Sequence, residues 1–147
     1  VSLISTDGID IYETKISRYF NFDENLRKKI RLCLGKKTCV PEDKIFIDEA
    51  EQQITDFLCS VIDEIKADTD VEIDAIGLEG PTICNEPENH YTYQLGKGKI
   101  IANKTGIDVI THFHNVETVY FDALLPKYLP FRGVVINSVN KNDFWSG

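Results

Sequence analysis

Six apolar residues, Ile47, Ala50, Ile54, Phe57, Val61 and Ile65, step through the chain by threes and fours. That spacing puts them on one side of an α-helix and on no single side of a strand. The segment must therefore bury a stripe against other structure. Pro41 suits the first turn of such a helix, where its missing N–H leaves no bond unmade, and Ala67-Asp68-Thr69-Asp70 breaks it. Acidic residues lie between the apolar steps: Asp48, Glu49, Glu51, Asp56, Asp63 and Glu64. They are expected to form a solvated face.

A shorter helix is expected over 24–34. Asn21 or Asp23 can cap it, Leu26, Ile30, Cys33 and Leu34 make its stripe, and Gly35 ends it. Before Phe22 the period is two rather than three or four. Val1–Ile4 reads as a strand, Asp7-Gly8 as a hairpin turn, and Ile9 and Ile11 as the start of a returning strand. Ile16–Phe22 gives a third strand and an N-terminal antiparallel meander. Beyond the long helix, residues 73–76, 107–110 and 134–136 read as short buried strands. Val116–Phe131 reads as an apolar helix or loop packed on the sheet. Short apolar strands separated by helices indicate an α/β fold, a mixed sheet with flanking helices, and 147 residues make it one domain.

A formal net charge of −8 argues against a nucleic-acid surface, which needs a basic face. It leaves room for a nucleotide, because backbone amides can hold phosphate inside an acidic protein. No apolar run approaches the roughly 20 residues needed to span a bilayer, and no leader-like N-terminus is visible. Cys33, Cys39, Cys59 and Cys84 form no C-x-x-C pair, which favours reduced thiols and a cytoplasmic protein over a disulfide framework. The chain has no methionine and begins at Val1, so its natural start is expected to be missing or trimmed.

Chemistry is concentrated in three places. In the first, Ile76 to Ile107, an apolar run meets Gly77 and Gly80, then Pro87, Tyr91–Gly96, a small helix and Thr105-Gly106. This reads as strand, tight turn, hairpin, helix and glycine stop, with the glycines allowing close approach to a ligand. The second is the turn carrying Ser5, Asp7, Gly8 and Asp10. It could cradle phosphate through its amides and hold Mg²⁺ through an aspartate, although Asp-Gly is foremost a hairpin turn. The third is His112-Phe113-His114 with Glu117. Two imidazoles at i and i+2 on a strand point the same way. Cys84, His90 and Glu79 could join them, but no second closely spaced ligand pair accompanies them, so no metal is assigned.

The order of these residues resembles the anhydro-N-acetylmuramic acid kinases. That family carries an N-terminal M-S-G-T-S-x-D-G-x-D loop, which Ser2, Ser5, Asp7, Gly8 and Asp10 match. It then has I-G-S-H-G-Q-T, H-x-P, T-L-Q-I-G, I-A and T-G-I. Gly77, Gly80, Thr82, Pro87, Thr92, Gln94, Gly96, Ala102, Thr105 and Gly106 match these. The resemblance implies a ribonuclease-H-like, actin-like lobe, ATP with Mg²⁺, and a sugar ligand. It also implies a role in cell-wall recycling and a second lobe as partner. It assigns Ser5, Asp7, Gly8 and Asp10 to the nucleotide and Glu79, Gly80, Thr82, His112, His114 and Glu117 to the substrate cleft. Departures are as specific as matches. Leu3 and Ile4 replace a glycine and a threonine of the phosphate loop, and Leu78, Glu79 and Pro81 replace Ser, His and Gln. His112, His114 and Glu117 stand in a D-F-R-x-x-D segment. An arginine fork is not replaced by imidazole without loss. The D-x-G-P-G-N segment carrying the family's catalytic aspartate has no counterpart in this sequence. Three functions follow: a catalytically incompetent kinase-derived lobe, a working half of a split sugar kinase completed by another chain, or a non-enzymatic binding module on the same scaffold.

Overall fold

A computed structural model describes residues 1–6, 10–89, 91–111 and 131–137. The chain is mixed α/β. Strands β1 (Ser2–Thr6) and β2 (Ile11–Ser17) form an antiparallel hairpin. Helices α1 (Glu24–Cys33) and α2 (Pro41–Ala67) follow. Then come β3 (Ala75–Glu79), β4 (Thr82–Glu86), β5 (Tyr91–Gln94), α3 (Gly98–Thr105), β6 (Asp108–Ile110) and β7 (Phe131–Asn137). Five strands make one sheet in the order β2-β1-β7-β3-β6, and β4 and β5 make a separate two-stranded sheet.

The expected meander is corrected by this order. Residues 18–23 are not strand, and the second neighbour of β1 is β7, antiparallel to it. The Arg18 backbone still exchanges two bonds with Val1 (2.9 and 2.8 Å), and its guanidinium pairs with Glu64 (2.8 Å) and with the C-cap residue Asp68 (2.6 Å) at the end of α2. On the far side of β7 the strands run parallel, β3 beside β7 and β6 beside β3. Ala75, Ile76, Gly77 and Leu78 are all buried, as expected for a central parallel strand. Gly77 is therefore strand interior, paired with Ile110 and Val135, and makes no turn. The strand expected at 73–76 begins two residues later, and Ile73 precedes it as a core residue. The apolar segment expected over 116–131 lies outside the described residues, except that Phe131 opens β7.

Asp23 caps α1, its carboxylate accepting the Leu26 amide at 2.7 Å. Leu26, Ile30 and Cys33 are buried as the stripe predicts. Leu34, assigned to the same stripe, is 48% exposed because it is the C-cap and has left the helical spiral. Helix α2 has 27 residues, about 40 Å at 1.5 Å per residue. Its buried arc is wider than the six-residue stripe, adding Glu51, Thr55, Leu58, Cys59 and Ile62. Glu51 is thus a correction to the solvated acidic face: it lies four residues after Ile47 and three before Ile54, inside the buried arc. Leu3, the α1 stripe, α2, Ile76, Leu78, Ile83, Leu95 and Ile101 share one hydrophobic core. All four cysteines are unpaired. Among the described residues no helix is long and apolar enough to cross a membrane.

Glycine is required at position 80 by packing. A Cβ there would sit 1.7 Å from the Leu95 carbonyl oxygen, which is backbone and cannot swing aside. Gly80→Ala is expected to lower stability by about 3 kcal/mol or more, or to prevent folding. Thr82→Ala, two residues on and exposed, should stay within about 0.5 kcal/mol. Urea denaturation of both variants checks the contrast.

Candidate functional site

Two turns meet above the end of β3. The Gly80-Pro81 turn leads into β4, and the Leu95–Lys97 turn leads from β5 into α3. They lie backbone to backbone, with the Leu95 amide donating to the Pro81 carbonyl at 2.9 Å. Between them is a shallow crevice of about 10 Å³, room for about one water, lined by Leu78, Gly80, Gln94, Leu95, Gly96 and Thr111. Gly96, at φ 121°, packs where an added Cβ would already touch Leu58 and Leu78 at 3.6 Å. The Gln94 amide donates to the Thr82 hydroxyl at 3.3 Å.

Of the residues assigned from sequence, the structure brings Glu79, Gly80 and Thr82 together at this turn, Glu79 half-buried and Thr82 exposed. Ser5 and Asp10 lie elsewhere. Ile4 pairs with Gly133, which pairs with Ala75, so β1 exits beside the start of β3 while the crevice lies past its end. Six residues of strand, about 20 Å at the usual rise, separate the level of Thr6 from that of Glu79. At the hairpin the Thr6 hydroxyl donates to the Asp10 carbonyl at 2.6 Å. Leu3 is fully buried in the core, so its side chain packs inward. Asp7, Gly8, His112, His114 and Glu117 lie outside the described residues, as does His90. Thr111, in the crevice wall, immediately precedes His112.

Sequence reasoning missed the polar residues that fasten the crevice to the helices. The Tyr93 hydroxyl donates to the Glu51 carboxylate, 3.1 and 3.2 Å from its two oxygens, and Lys97 Nζ stands 3.7 Å from Oε2. Burial, the Glu51 charge and this hydrogen bond raise the Tyr93 pKa well above its ordinary value. One turn on, the Thr55 hydroxyl accepts the Lys97 amide at 3.1 Å and donates to the Glu51 carbonyl at 2.6 Å. The β4–β5 hairpin is held at its other end too. The Ile83 carbonyl accepts the Gly35 amide at 2.7 Å, Lys37 pairs with Glu86 at 2.7 Å, and the Tyr91 hydroxyl meets Thr38 at 3.2 Å. One sequence signal was available: Glu51 and Thr55 fall on the same helical arc as Ile47, Ile54 and Leu58. Among the described residues no three histidine, cysteine or acidic side chains gather as metal ligands.

A family model, Anhydro-N-acetylmuramic acid kinase, matches residues 1–120, which leaves β7 beyond the match. Curated proteins of that name are similar to the chain. The one from Pelagibacter ubique is 28% identical over 119 residues, covering 76% of this chain and 31% of the relative. That of Agrobacterium fabrum is 29% identical over 116 residues, with 75% and 31% covered. That of Hahella chejuensis is 32% identical over 123 residues, with 74% and 33% covered. The chain thus spans about a third of the length of these relatives.

Hydrogen bonds from Lys37, and then from Asn89, hold the Glu86 carboxyl below the ordinary carboxylate range. A depressed folded pKa stabilises the hairpin contact above the unfolded value, and that stabilisation is lost as pH falls through the folded one. Lys37→Ala is therefore expected to move the Glu86 titration upward, towards the ordinary carboxylate range. Carboxyl carbon shifts followed by NMR from pH 2 to 7, on the order of a dozen points, read this directly.

Proposed function

This chain belongs to the anhydro-N-acetylmuramic acid kinase family, and from that premise we propose that it is the N-terminal, ribonuclease-H-like lobe of such a sugar kinase, with a sugar crevice but without phosphoryl-transfer activity of its own. An antiparallel hairpin on one side of the sheet, parallel strands on the other and helices packed on its core support the lobe assignment. The crevice, lined by the matched Gly80, Gln94 and Gly96, marks the surface at which the sugar would meet this lobe. Leu78 lines it where the family motif has serine, so the hydroxyl recognition that remains comes from Gln94 and Thr111. Cytoplasm is the compartment this reading implies.

One observation carries the incompetence. Thr6, which leads towards the segment matched to the nucleotide, and Glu79, which leads into the crevice, stand at opposite ends of the sheet. Phosphoryl transfer needs donor phosphate and acceptor hydroxyl in line at near contact. The sequence differences agree, since an arginine of the sugar site is replaced by His114. ATP and Mg²⁺ are the cofactors that membership implies. The described part of the turn offers them Ser5 and Asp10, while the Thr6 hydroxyl is given to the Asp10 carbonyl. That set does not by itself make a Mg²⁺ site, so no step is routed through one.

A second chain carrying the remaining two-thirds of the relatives' length would be the natural partner, which is the split-kinase alternative. The test is ADP release with anhydro-N-acetylmuramic acid, with and without that chain. No turnover by the isolated chain is expected, consistent with the about 10²–10⁴ in rate that a positioned base alone supplies. Turnover by the isolated chain would overturn the proposal, and turnover only with a partner would establish the split enzyme.

A further inference from the structure

The crevice wall Gln94–Gly96 is flanked by Tyr93 and Lys97, and both flanking side chains return to one carboxylate. Glu51 is 5% exposed. It accepts the Tyr93 hydroxyl on both oxygens and pairs with Lys97 Nζ at 3.7 Å. The amide of Lys97 is taken by Thr55, one turn further along the same helix, at 3.1 Å. We propose that Glu51 is the positioning residue of the crevice, fixing from inside α2 both ends of the wall that a ligand would meet.

The physical case rests on what the carboxylate requires and what the wall lacks. A buried carboxylate must be compensated by donors, and removing one leaves charge stranded at a cost above that of an ordinary hydrogen bond. Glu51 therefore pulls on its two partners whenever the chain is folded. The wall itself has little regular structure: Leu95, Gly96 and Lys97 belong to no helix or strand. Gly96 adds backbone freedom at φ 121°, and α3 has no side-chain cap to stiffen its start. Without the tether the segment is held by the Leu95 bond to Pro81, the Lys97 amide bond to Thr55 and the bonds of the Lys97 carbonyl to the first turn of α3. With it, the Gln94 amide and Leu78 face a wall of fixed shape, as a preorganised site requires. That the crevice takes a sugar depends on the function proposed above. That Glu51 sets its shape does not.

Amide hydrogen exchange followed by NMR on the whole chain separates the tether from a merely structural role. Tyr93→Phe keeps the ring and removes only the hydroxyl. Exchange at Leu95 and Lys97 is expected to become about tenfold faster, with the α2 amides of Leu58 and Ile62 changing less than about twofold. Glu51→Gln keeps an acceptor for Tyr93 and loses the ion pair, so its effect should be smaller and centred on Lys97. Unchanged exchange at Leu95 and Lys97 in Tyr93→Phe would overturn the proposal. So would an equal rise at every amide, which marks general loss of stability. Calorimetric titration with anhydro-N-acetylmuramic acid gives a separate answer. Weaker binding by Tyr93→Phe than by the unaltered chain supports the positioning role, and equal binding contradicts it. No binding by the unaltered chain removes the sugar reading, and the exchange data still decide the tether.

Discussion

A carboxylate inside a helix–sheet interface dictates much of how this chain is arranged. Helix α2 is covered over so wide an arc that Glu51 has no exposed side left to it. Its donors must come from other elements, and they come from β5 and from the first residue before α3. Thr55 repeats the logic with a neutral group, fully buried and using its hydroxyl both ways. Apolar packing alone would hold the two-stranded sheet against α2 at many nearly equivalent settings. A charge that must be met admits few. The contact thus trades burial cost for a defined position.

The two ends of the β4–β5 hairpin are attached by different means. Near α2 the Tyr93–Glu51 pair is largely withdrawn from water. Near the α1–α2 connection, Lys37 and Glu86 are each about one-third exposed, and a backbone bond from Gly35 to Ile83 carries the contact. Elsewhere the ion pairs lie at the surface, such as Lys104 with Asp56 and Lys28 with Glu24. Such pairs contribute about 0–1 kcal/mol each and serve mainly to spread an acidic chain's charge. The inner attachment should therefore be the less sensitive to salt.

Much of this fold was legible from periodicity and turn chemistry. Pro41 at the start of α2, Asp23 as the cap of α1 and Gly106 as the left-handed stop of α3 are local signals, written within a few residues of where they act. The hairpin over residues 82–94 could be read for the same reason. What failed depended on distant residues. Nothing near Ile16–Phe22 announces that β1 takes β7 as its second neighbour, or that Arg18 is drawn to α2. Glu51 was misread because acidity was given more weight than position on the helix. Family resemblance marked Gly80 and Gly96, which backbone packing and a positive φ require to be glycine. It could not report the tether, because Glu51 and Thr55 lie outside the motifs that carry the resemblance.

The position of β7 has a consequence for the order of events in folding. It is the middle strand of the five, yet it comes last among the described strands, and among the described residues it lies between the β1–β2 hairpin and the β3–β6 pair. Chains emerge from the ribosome at about 5–20 residues per second. For some seconds after β6 is made, two half-sheets exist with their facing edges unfilled. Bare edges invite pairing with other strands, and closure waits on a contact spanning more than a hundred residues, between Ser2 and Val135. Such long-range pairing is slow, so synthesis leaves the incomplete sheet exposed for longer than the finished fold would suggest.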